Sequence, residues 1–174
     1  RGQVDRMRKL ATELLDLSRL EAGALELRPE PTDVGQLARE VAGEFTPAAQ
    51  RHDSRVRLDL PDEPIELDCD PERVAQVLRI LLDNALVHTP AGTGVRVSAA
   101  RRNGHVRLEV SDLGLGIKRQ NMPHIFEPFF TSNEEAQGAG LGLAIARELA
   151  ERMQGRLTVR SVPGSTTFSL VLPG

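Results

Sequence analysis

The chain has 174 residues, 40% of them hydrophobic, which is enough for one ordinary domain with an additional helix. Its formal net charge is −3, with acidic and basic residues interspersed, whereas a nucleic-acid binder carries a basic stripe, so we expect no nucleic-acid partner. The single cysteine, Cys69, excludes an internal disulfide and fits a reducing cytoplasm, and the lack of a bilayer-length apolar run or a signal peptide predicts no membrane contact by this chain.

An amphipathic helix is predicted at the start of the chain and is expected to end near Gly23. A lone helix cannot bury its apolar stripe, so we expect it to pack on partner helices outside this chain, in a bundle or a dimer. Two prolines then interrupt the pattern, which predicts a domain boundary near residues 28–31. The stripe recurs at spacings of three and four and consists of Met7, Leu10, Leu14 and Leu17.

Helices and strands are predicted along the rest of the chain. Asp70 before Pro71 is a helix start, Asn103-Gly104 is a hairpin signal, and Gly155 is a helix stop. The expected result is an α+β fold, in which a sheet is covered on one side by helices. The predicted elements are a helix over 33–45, strands over 55–60 and 65–69, a helix over 71–85, strands over 95–99 and 105–110, a short helical stretch over 122–126, a helix over 141–154, and strands over 156–160 and 166–172.

Four short segments in a set order predict a nucleotide pocket. One carries an asparagine on a helix and the other three carry glycines. A single Gly-x-Gly usually marks only a turn, whereas four such segments in order are a much more specific signal. The segments are 81–85, 112–117, 138–143 and 164–168.

Asp112 directly follows a predicted strand and precedes two glycines. Its carboxylate can accept a hydrogen bond from an exocyclic amine such as that of adenine, and Gly114 and Gly116 would let the backbone approach the ring. The alternative is a simple turn, in which the aspartate caps its own backbone and glycine supplies a positive φ.

Residues 138–143 precede a predicted helix, so free N–H groups and the positive end of the helix dipole can face the phosphates of a triphosphate. A flexible loop before an ordinary helix start is the alternative. Asn84 lies at the edge of the apolar face of its helix. Its amide oxygen can bind a hard cation such as Mg²⁺ that bridges phosphate oxygens, or it can be an ordinary half-buried asparagine.

Taken together, these segments resemble the catalytic ATP-binding domain of sensor histidine kinases, a two-layer α/β sandwich called the Bergerat fold, with a mixed, mostly antiparallel sheet, shared by the GHKL ATPases. The resemblance implies that residues 1–28 are the C-terminal helix of a dimerisation and histidine-phosphotransfer domain. It also implies a catalytic domain over 32–174 with an ATP lid over about 117–140. The matching segments are 14–23 (end of the dimerisation domain), 76–89 (N box), 112–117 (first glycine box), 125–130 (F box) and 138–143 (second glycine box).

The resemblance further implies ATP and Mg²⁺ as cofactors. By this match Asn84 would be the catalytic residue that holds Mg²⁺, Asp112 would bind the adenine amine, and Phe126 and Phe129 would anchor the lid. The other implied nucleotide contacts are His88, Gly114, Gly116, Ile117, Gly138, Gly140, Leu141, Gly142, Leu143 and Thr167.

Four residues depart from the family pattern, and one of them, Thr166, stands where the last glycine segment usually has a second glycine. Ile80 stands where hydrolysing relatives and anti-sigma serine kinases carry a glutamate base, which argues against those two functions. Val87 and Asn133 occupy places where a basic residue is frequent, and the alternative sources of that charge are Lys118, Arg119 or a residue of a partner domain. The rival hypotheses are a non-catalytic nucleotide-binding or scaffolding module and, second, a GHKL ATPase or anti-sigma serine kinase.

None of the four histidines has the sequence context of a phosphoacceptor, so the resemblance implies an acceptor histidine on dimerisation helices absent from this chain. The expected partners are those helices, in a homodimer of the full-length protein, and a response-regulator receiver domain that takes the phosphoryl group on an aspartate. The expected localisation is cytoplasmic, including the cytoplasmic part of a membrane-bound sensor. His52, His105 and His124 are predicted to be surface residues.

Overall fold

The protein is described by a computed structural model that covers residues 2–131 and 140–174. Within these ranges the elements in chain order are α1 Gly2–Glu21, β1 Glu30–Asp33, α2 Val34–Glu44, α3 Thr46–Arg51, β2 Val56–Asp59, β3 Glu66–Cys69, α4 Pro71–Val87, β4 Val95–Arg102, β5 His105–Asp112, a 3₁₀ turn Met122–His124, α5 Gly142–Arg152, β6 Arg156–Val162 and β7 Ser165–Pro173.

Two sheets are present in the described part of the chain. The larger has five strands in the order β2-β4-β5-β7-β6, and all its neighbours are antiparallel except the parallel pair β2 and β4. The smaller pairs β1 with β3 antiparallel. The α+β architecture with a mixed, mostly antiparallel sheet is confirmed. The separate small sheet was not predicted, because Pro31 signals an interruption, yet proline is tolerated on a strand with a free edge.

One face of the large sheet forms the core. Side chains of β5 alternate between the two faces, and Val106, Leu108 and Val110 are buried beneath α4, while α2 packs on β4 and α5 on β6 and β7. Two of these helices begin with an aspartate cap, as their sequences predict. Asp33 accepts the Gly35 N–H, and Asp70 accepts the N–H groups of Arg73 and, from the segment before β1, Arg28.

Part of α1 packs against the rest of this chain rather than against an external partner. Leu17 and Leu20 are buried in the core of this same chain, and the Arg152 guanidinium of α5 donates a hydrogen bond to the Leu20 carbonyl. The prediction that the partner lies outside the chain is therefore wrong for this face. A second apolar face of α1 remains exposed, consisting of Val4, Met7, Leu14 and Leu15. No helix in the described ranges is long and apolar enough to span a bilayer.

His52 is half-buried, so the prediction that it is a surface residue is wrong. Its ring bridges two segments, with Nδ1 2.6 Å from Ser54 Oγ and Nε2 2.9 Å from the Thr89 carbonyl oxygen at the end of α4. The Gly92 N–H also donates to the His52 carbonyl at 2.9 Å. His52 therefore links the end of α3 to the loop that follows α4.

We expect His52→Ala to lower the free energy of unfolding by about 1–2 kcal/mol, because the substitution leaves a half-buried carbonyl and hydroxyl without their partner. Urea unfolding measures the change. The matched control is His105→Ala, since His105 is exposed and its ring Nδ1 lies 3.0 Å from the carbonyl oxygen of the neighbouring Asn103. An equal loss in both variants would show that the bridge contributes nothing.

Candidate nucleotide-binding site

Two adjoining cavities form a cleft between α4, α5 and the end of the large sheet. The larger has a volume of about 790 Å³ and is lined by residues of the 112–122 segment, β6 and β7. The smaller has a volume of about 280 Å³ and lies between α1, α4 and the start of α5. Their shared wall joins them into one elongated site and consists of Asn84, His88, Ile125, Phe130 and Leu143.

Asp112 ends β5 and lines the larger cavity. Its Oδ1 accepts the Gly114 N–H at 3.0 Å, so the turn expected as an alternative is present. The carboxyl is 7% exposed, and this burial raises its pKa, although the hydrogen bond from Gly114 opposes the rise. Since only Oδ1 is used by the turn, Oδ2 is available to an amine in the cavity. The turn and the binding role are therefore compatible.

The two glycines after Asp112 are required by the protein itself. A Cβ at Gly114 would lie 2.8 Å from Thr89 Cγ2, and one at Gly116 would lie 2.6 Å from the Val162 carbonyl oxygen. Gly116 also has a φ of +83°, which L side chains rarely adopt. These close contacts pack the 112–117 segment against α4 and β6, and they place Gly116 and Ile117 in the cavity wall.

Asn84 lies in the wall common to both cavities, one turn before the end of α4. Its side-chain amide forms no hydrogen bond with any residue that the structure describes. His88 follows one turn later, and desolvation by its surroundings lowers its pKa even though Asp83 pulls in the opposite direction. A neutral imidazole and a free amide thus face the junction of the two cavities.

The fit of this site to Mg²⁺ depends on Asn84. In the described ranges there is no cluster of three or more His, Cys, Asp or Glu side chains that can hold a metal ion. The unpaired Asn84 amide supplies one hard oxygen ligand, and Mg²⁺ typically takes its other ligands from phosphate oxygens and water. The residues present therefore fit a Mg²⁺ ion that arrives with a phosphorylated ligand.

The start of α5 forms the far wall of the smaller cavity. No side chain caps this helix at Leu141, in contrast to the aspartate caps of α2 and α4. Gly140, Leu141, Gly142 and Leu143 line the cavity, and Leu141 is fully buried from solvent. The N–H groups of the first turn, with the positive end of the helix dipole, suit an anion there.

The segment 125–130, which lies within the predicted lid, matches expectation only in part. Phe126 packs edge-on against Phe168, with ring centroids 6.3 Å apart, and its ring lies under the Arg147 guanidinium at 5.5 Å. Phe129, predicted as a second anchor, is 60% exposed and lines neither cavity. Its φ of +66° turns the side chain outward while its N–H donates to the Gly140 carbonyl. Phe130 packs against the core instead.

Thr167 does not line either cavity, contrary to its predicted place at the site. Its Oγ1 lies 2.9 Å from Ser111 Oγ, on the opposite face of the sheet. Thr166 is the cavity residue, since it is 4% exposed, pairs with Asp112 across the sheet and bonds Ser161. The period of two along β7 is the missed signal, because Thr166 shares a face with buried Phe168.

Two of the residues that depart from the family pattern, Ile80 and Val87, line the smaller cavity. Ile80 lines the smaller cavity, and its Cγ2 lies 3.2 Å from where a Cβ on Gly142 would be. Val87 lines the same cavity and is 37% exposed. Asn133 and Gly138 lie outside the described residues. Among the described residues, the cations that line the cleft are Lys9 and Arg79 in the smaller cavity and Lys118 and Arg119 in the larger. The sequence pattern predicts no role for Lys9 or Arg79.

Comparison with known proteins gives a consistent result. A profile of the family described as "Histidine kinase-, DNA gyrase B-, and HSP90-like ATPase" matches residues 69–174. The probable sensor histidine kinase TcrY of Mycobacterium tuberculosis is 36% identical over an alignment of 176 positions, which covers 99% of this chain and 36% of that protein. The chain spans less than half the length of the curated relatives it matches.

Solved structures show the same fold. The histidine kinase AdeS of Acinetobacter baumannii superposes with a TM-score of 0.84 at 26% identity, covering 99% of this chain and 80% of that one. Full-length ShkA, solved in complex with AMPPNP, superposes with a TM-score of 0.85 at 30% identity, covering 100% of this chain and 38% of that one.

Proposed function

Because this chain belongs to the histidine kinase-, DNA gyrase B-, and HSP90-like ATPase family and, within it, to the sensor histidine kinases, we propose that it binds Mg-ATP in the cleft and donates the γ-phosphoryl group to a histidine. The acceptor would lie on dimerisation helices that this chain lacks, and the phosphoryl group would pass on to an aspartate of a response-regulator receiver domain.

The observation that carries this proposal is the order of groups along the cleft. Asp112 lines only the larger cavity, Gly140 and Gly142 line only the smaller, and Asn84 lies between them in the shared wall. An amine acceptor, a metal ligand and an uncapped helix start in this sequence match adenine, Mg²⁺ and phosphates in the order in which ATP presents them.

The residues of the cleft then have separate tasks in phosphoryl transfer. Oδ2 of Asp112 accepts the adenine amine, and the first turn of α5 donates backbone N–H groups to phosphate oxygens. Mg²⁺, when bound, neutralises charge on the phosphates. Asn84 would hold that ion, and the acceptor imidazole would displace ADP from the γ-phosphorus.

Ile80 accounts for the choice of nucleophile. An apolar side chain at this place cannot remove a proton from water or from a serine hydroxyl. An imidazole is itself a nucleophile in its neutral form and needs no base at this position. The site is therefore suited to retain ATP until another domain's histidine enters, which favours kinase over ATPase chemistry.

The exposed face of α1 supports a role in dimerisation. Met7 is 71% exposed and Leu15 is 59% exposed. Such exposure is unusual for apolar side chains on a helix whose other face is buried. We include in the proposal that this face packs in a helical bundle with a second copy of the protein, which places residues 1–28 in the dimerisation domain and residues 32–174 in the catalytic domain. The lid would extend over about 117–140.

Transphosphorylation tests the proposed function. The chain is mixed with a separately produced, histidine-bearing dimerisation domain of the full-length protein, and acid-labile, base-stable phosphate on that domain is measured after addition of γ-labelled Mg-ATP. We expect phosphohistidine to form and ATP turnover by the chain alone to be negligible.

A non-catalytic nucleotide-binding module is the second candidate, because Val87 offers no cation to the phosphates. It predicts ATP binding with no phosphohistidine. Release of ADP by the chain alone, without any acceptor domain, would instead favour an ATPase.

A further inference from the structure

The cations around the phosphate end of the cleft differ in how free they are. Arg79 lines the smaller cavity, but its Nε and Nη2 donate to the two Glu44 carboxylate oxygens at 2.8 and 3.0 Å. This paired arrangement lowers the pKa of Glu44, as expected for a carboxylate held by a guanidinium. Arg79 is therefore committed to a partner on α2 and is poorly placed to turn toward a ligand.

Lys9 is held much less firmly. Its Nζ lies 3.2 Å from Asp83 Oδ2, and the two side chains are 54% and 47% exposed. Ion pairs of this kind contribute little to stability and exchange easily, because water screens the charges and the long lysine side chain keeps its freedom. Lys9 belongs to α1, yet it lines the same small cavity as Asn84, Gly140 and Gly142.

We propose that Lys9 contacts the terminal phosphate of ATP and supplies, from α1, the positive charge that Val87 does not provide. This inference rests on the proposed function. Asp83 holds the ammonium group at the cavity rim in the nucleotide-free state, one residue away from the proposed Mg²⁺ ligand. A phosphate bound at the start of α5 carries more charge than a single carboxylate and competes for the lysine.

The docking of α1 is what brings Lys9 to the cavity. Three residues of α1 on the side of Lys9 contact the catalytic domain. Asp16 accepts a hydrogen bond from Gln76, while Leu17 and Leu20 are buried. Displacement of α1 would remove Lys9 from the cavity, since the side chain moves with its helix. ATP affinity is therefore coupled to the position of the dimerisation helix, and by linkage ATP favours the docked position.

The charges that line the smaller cavity explain why the positive charge of Lys9 is needed there. Its lining includes two cations, Lys9 and Arg79, and two carboxylates, Glu13 and Asp83. Burial raises the pKa of Glu13, which shows that a carboxylate charge is poorly solvated at this wall. With Arg79 neutralised by Glu44, Lys9 is the lining cation with the freedom to offset the charge of a γ-phosphate.

The test compares the affinity for Mg-ATP with the affinity for Mg-ADP, because the two nucleotides differ only in the terminal phosphate. Isothermal titration calorimetry on the 174-residue chain gives both dissociation constants for the parent, Lys9→Ala, Lys9→Arg and Asp83→Asn. We expect Lys9→Ala to weaken ATP about tenfold, the value of one charge-assisted hydrogen bond. ADP binding should change by less than about twofold, and Lys9→Arg should restore most of the ATP affinity.

Asp83→Asn separates phosphate contact from helix docking. It breaks the same ion pair but leaves the ammonium group in place, so we expect ATP binding to be unchanged or tighter. Arg8→Ala, on an exposed position of the same helix, is the control for general loss of charge. Two results would overturn the inference about Lys9 without affecting the proposed function. One is equal ATP affinity in Lys9→Ala and the parent, and the other is an equal loss of ATP affinity in Lys9→Ala and Asp83→Asn. A parent chain that binds neither nucleotide would overturn the proposed function as well.

Discussion

Asp112→Asn is expected to weaken Mg-ATP binding by about 100-fold, roughly 2–3 kcal/mol, which is the cost of leaving a buried donor facing another donor. The asparagine oxygen takes the place of Oδ1 and keeps the hydrogen bond from Gly114. Its NH₂ group then stands where Oδ2 would accept a hydrogen bond from the adenine amine. The turn is preserved, so the loss falls on the ligand.

The same substitution should leave the fold intact. Burial raises the pKa of Asp112 in the folded state. A group with a raised pKa contributes stability below its unfolded pKa, and that contribution is lost as pH rises through the folded value. At neutral pH the ionised carboxyl is therefore a cost to folding, and the neutral asparagine is expected to give an equal or higher Tm.

Calorimetric titration with Mg-ATP and a thermal melt near pH 7.5 check the two expectations together. Glu109→Gln is the matched control, because it neutralises a carboxylate on the same strand whose side chain lies on the opposite face of the sheet, near Arg107. If Asp112→Asn binds ATP as tightly as the parent, Asp112 does not recognise adenine.

Asn84→Ala is expected to lower the transphosphorylation rate by about 10²- to 10³-fold, or about 3–4 kcal/mol of barrier, the usual loss when a charge-stabilising group at the phosphoryl is removed. The amide has no partner in the described part of the protein. Its removal therefore breaks no internal hydrogen bond, and the effect on stability should be small.

Nucleotide affinity measured with Mg²⁺ and with EDTA gives a readout apart from the rate. The parent is expected to bind ATP more tightly with Mg²⁺, while Asn84→Ala should bind it about equally under both conditions. Asn84→Asp retains an oxygen ligand and should recover much of the Mg²⁺ effect. A full Mg²⁺ effect in Asn84→Ala would mean that the ion is held by other groups.

Local signals predicted most of the fold and part of the site. The aspartates before α2 and α4 cap their helices as expected, and Asn103-Gly104 turns between β4 and β5. These features depend on neighbours a few residues apart, which a sequence displays directly. The strand β1 and the helix α3 were missed because a proline and a short run of small residues carry weak signals.

Two residues that the sequence assigns to the site do not line the cleft, for a different reason. Phe129 and Thr167 carry the expected residue types but point away from the cleft, while Phe130 and Thr166 face it. Which of two adjacent side chains faces inward depends on a backbone φ at Phe129 and on strand register at Thr167. Both are set by packing against distant residues.

The sequence by itself determined the family, the α+β class and the chemical types at the site, because its glycine and asparagine segments have a specific order along the chain. Only the tertiary structure decided that Asp112, Asn84 and the uncapped start of α5 share one cleft. It also decided that Lys9 reaches that cleft. The physical reason is that these groups meet through burial of side chains far apart in sequence, such as Leu20 of α1 against α5, and periodicity within one element carries no information about which other element it will contact.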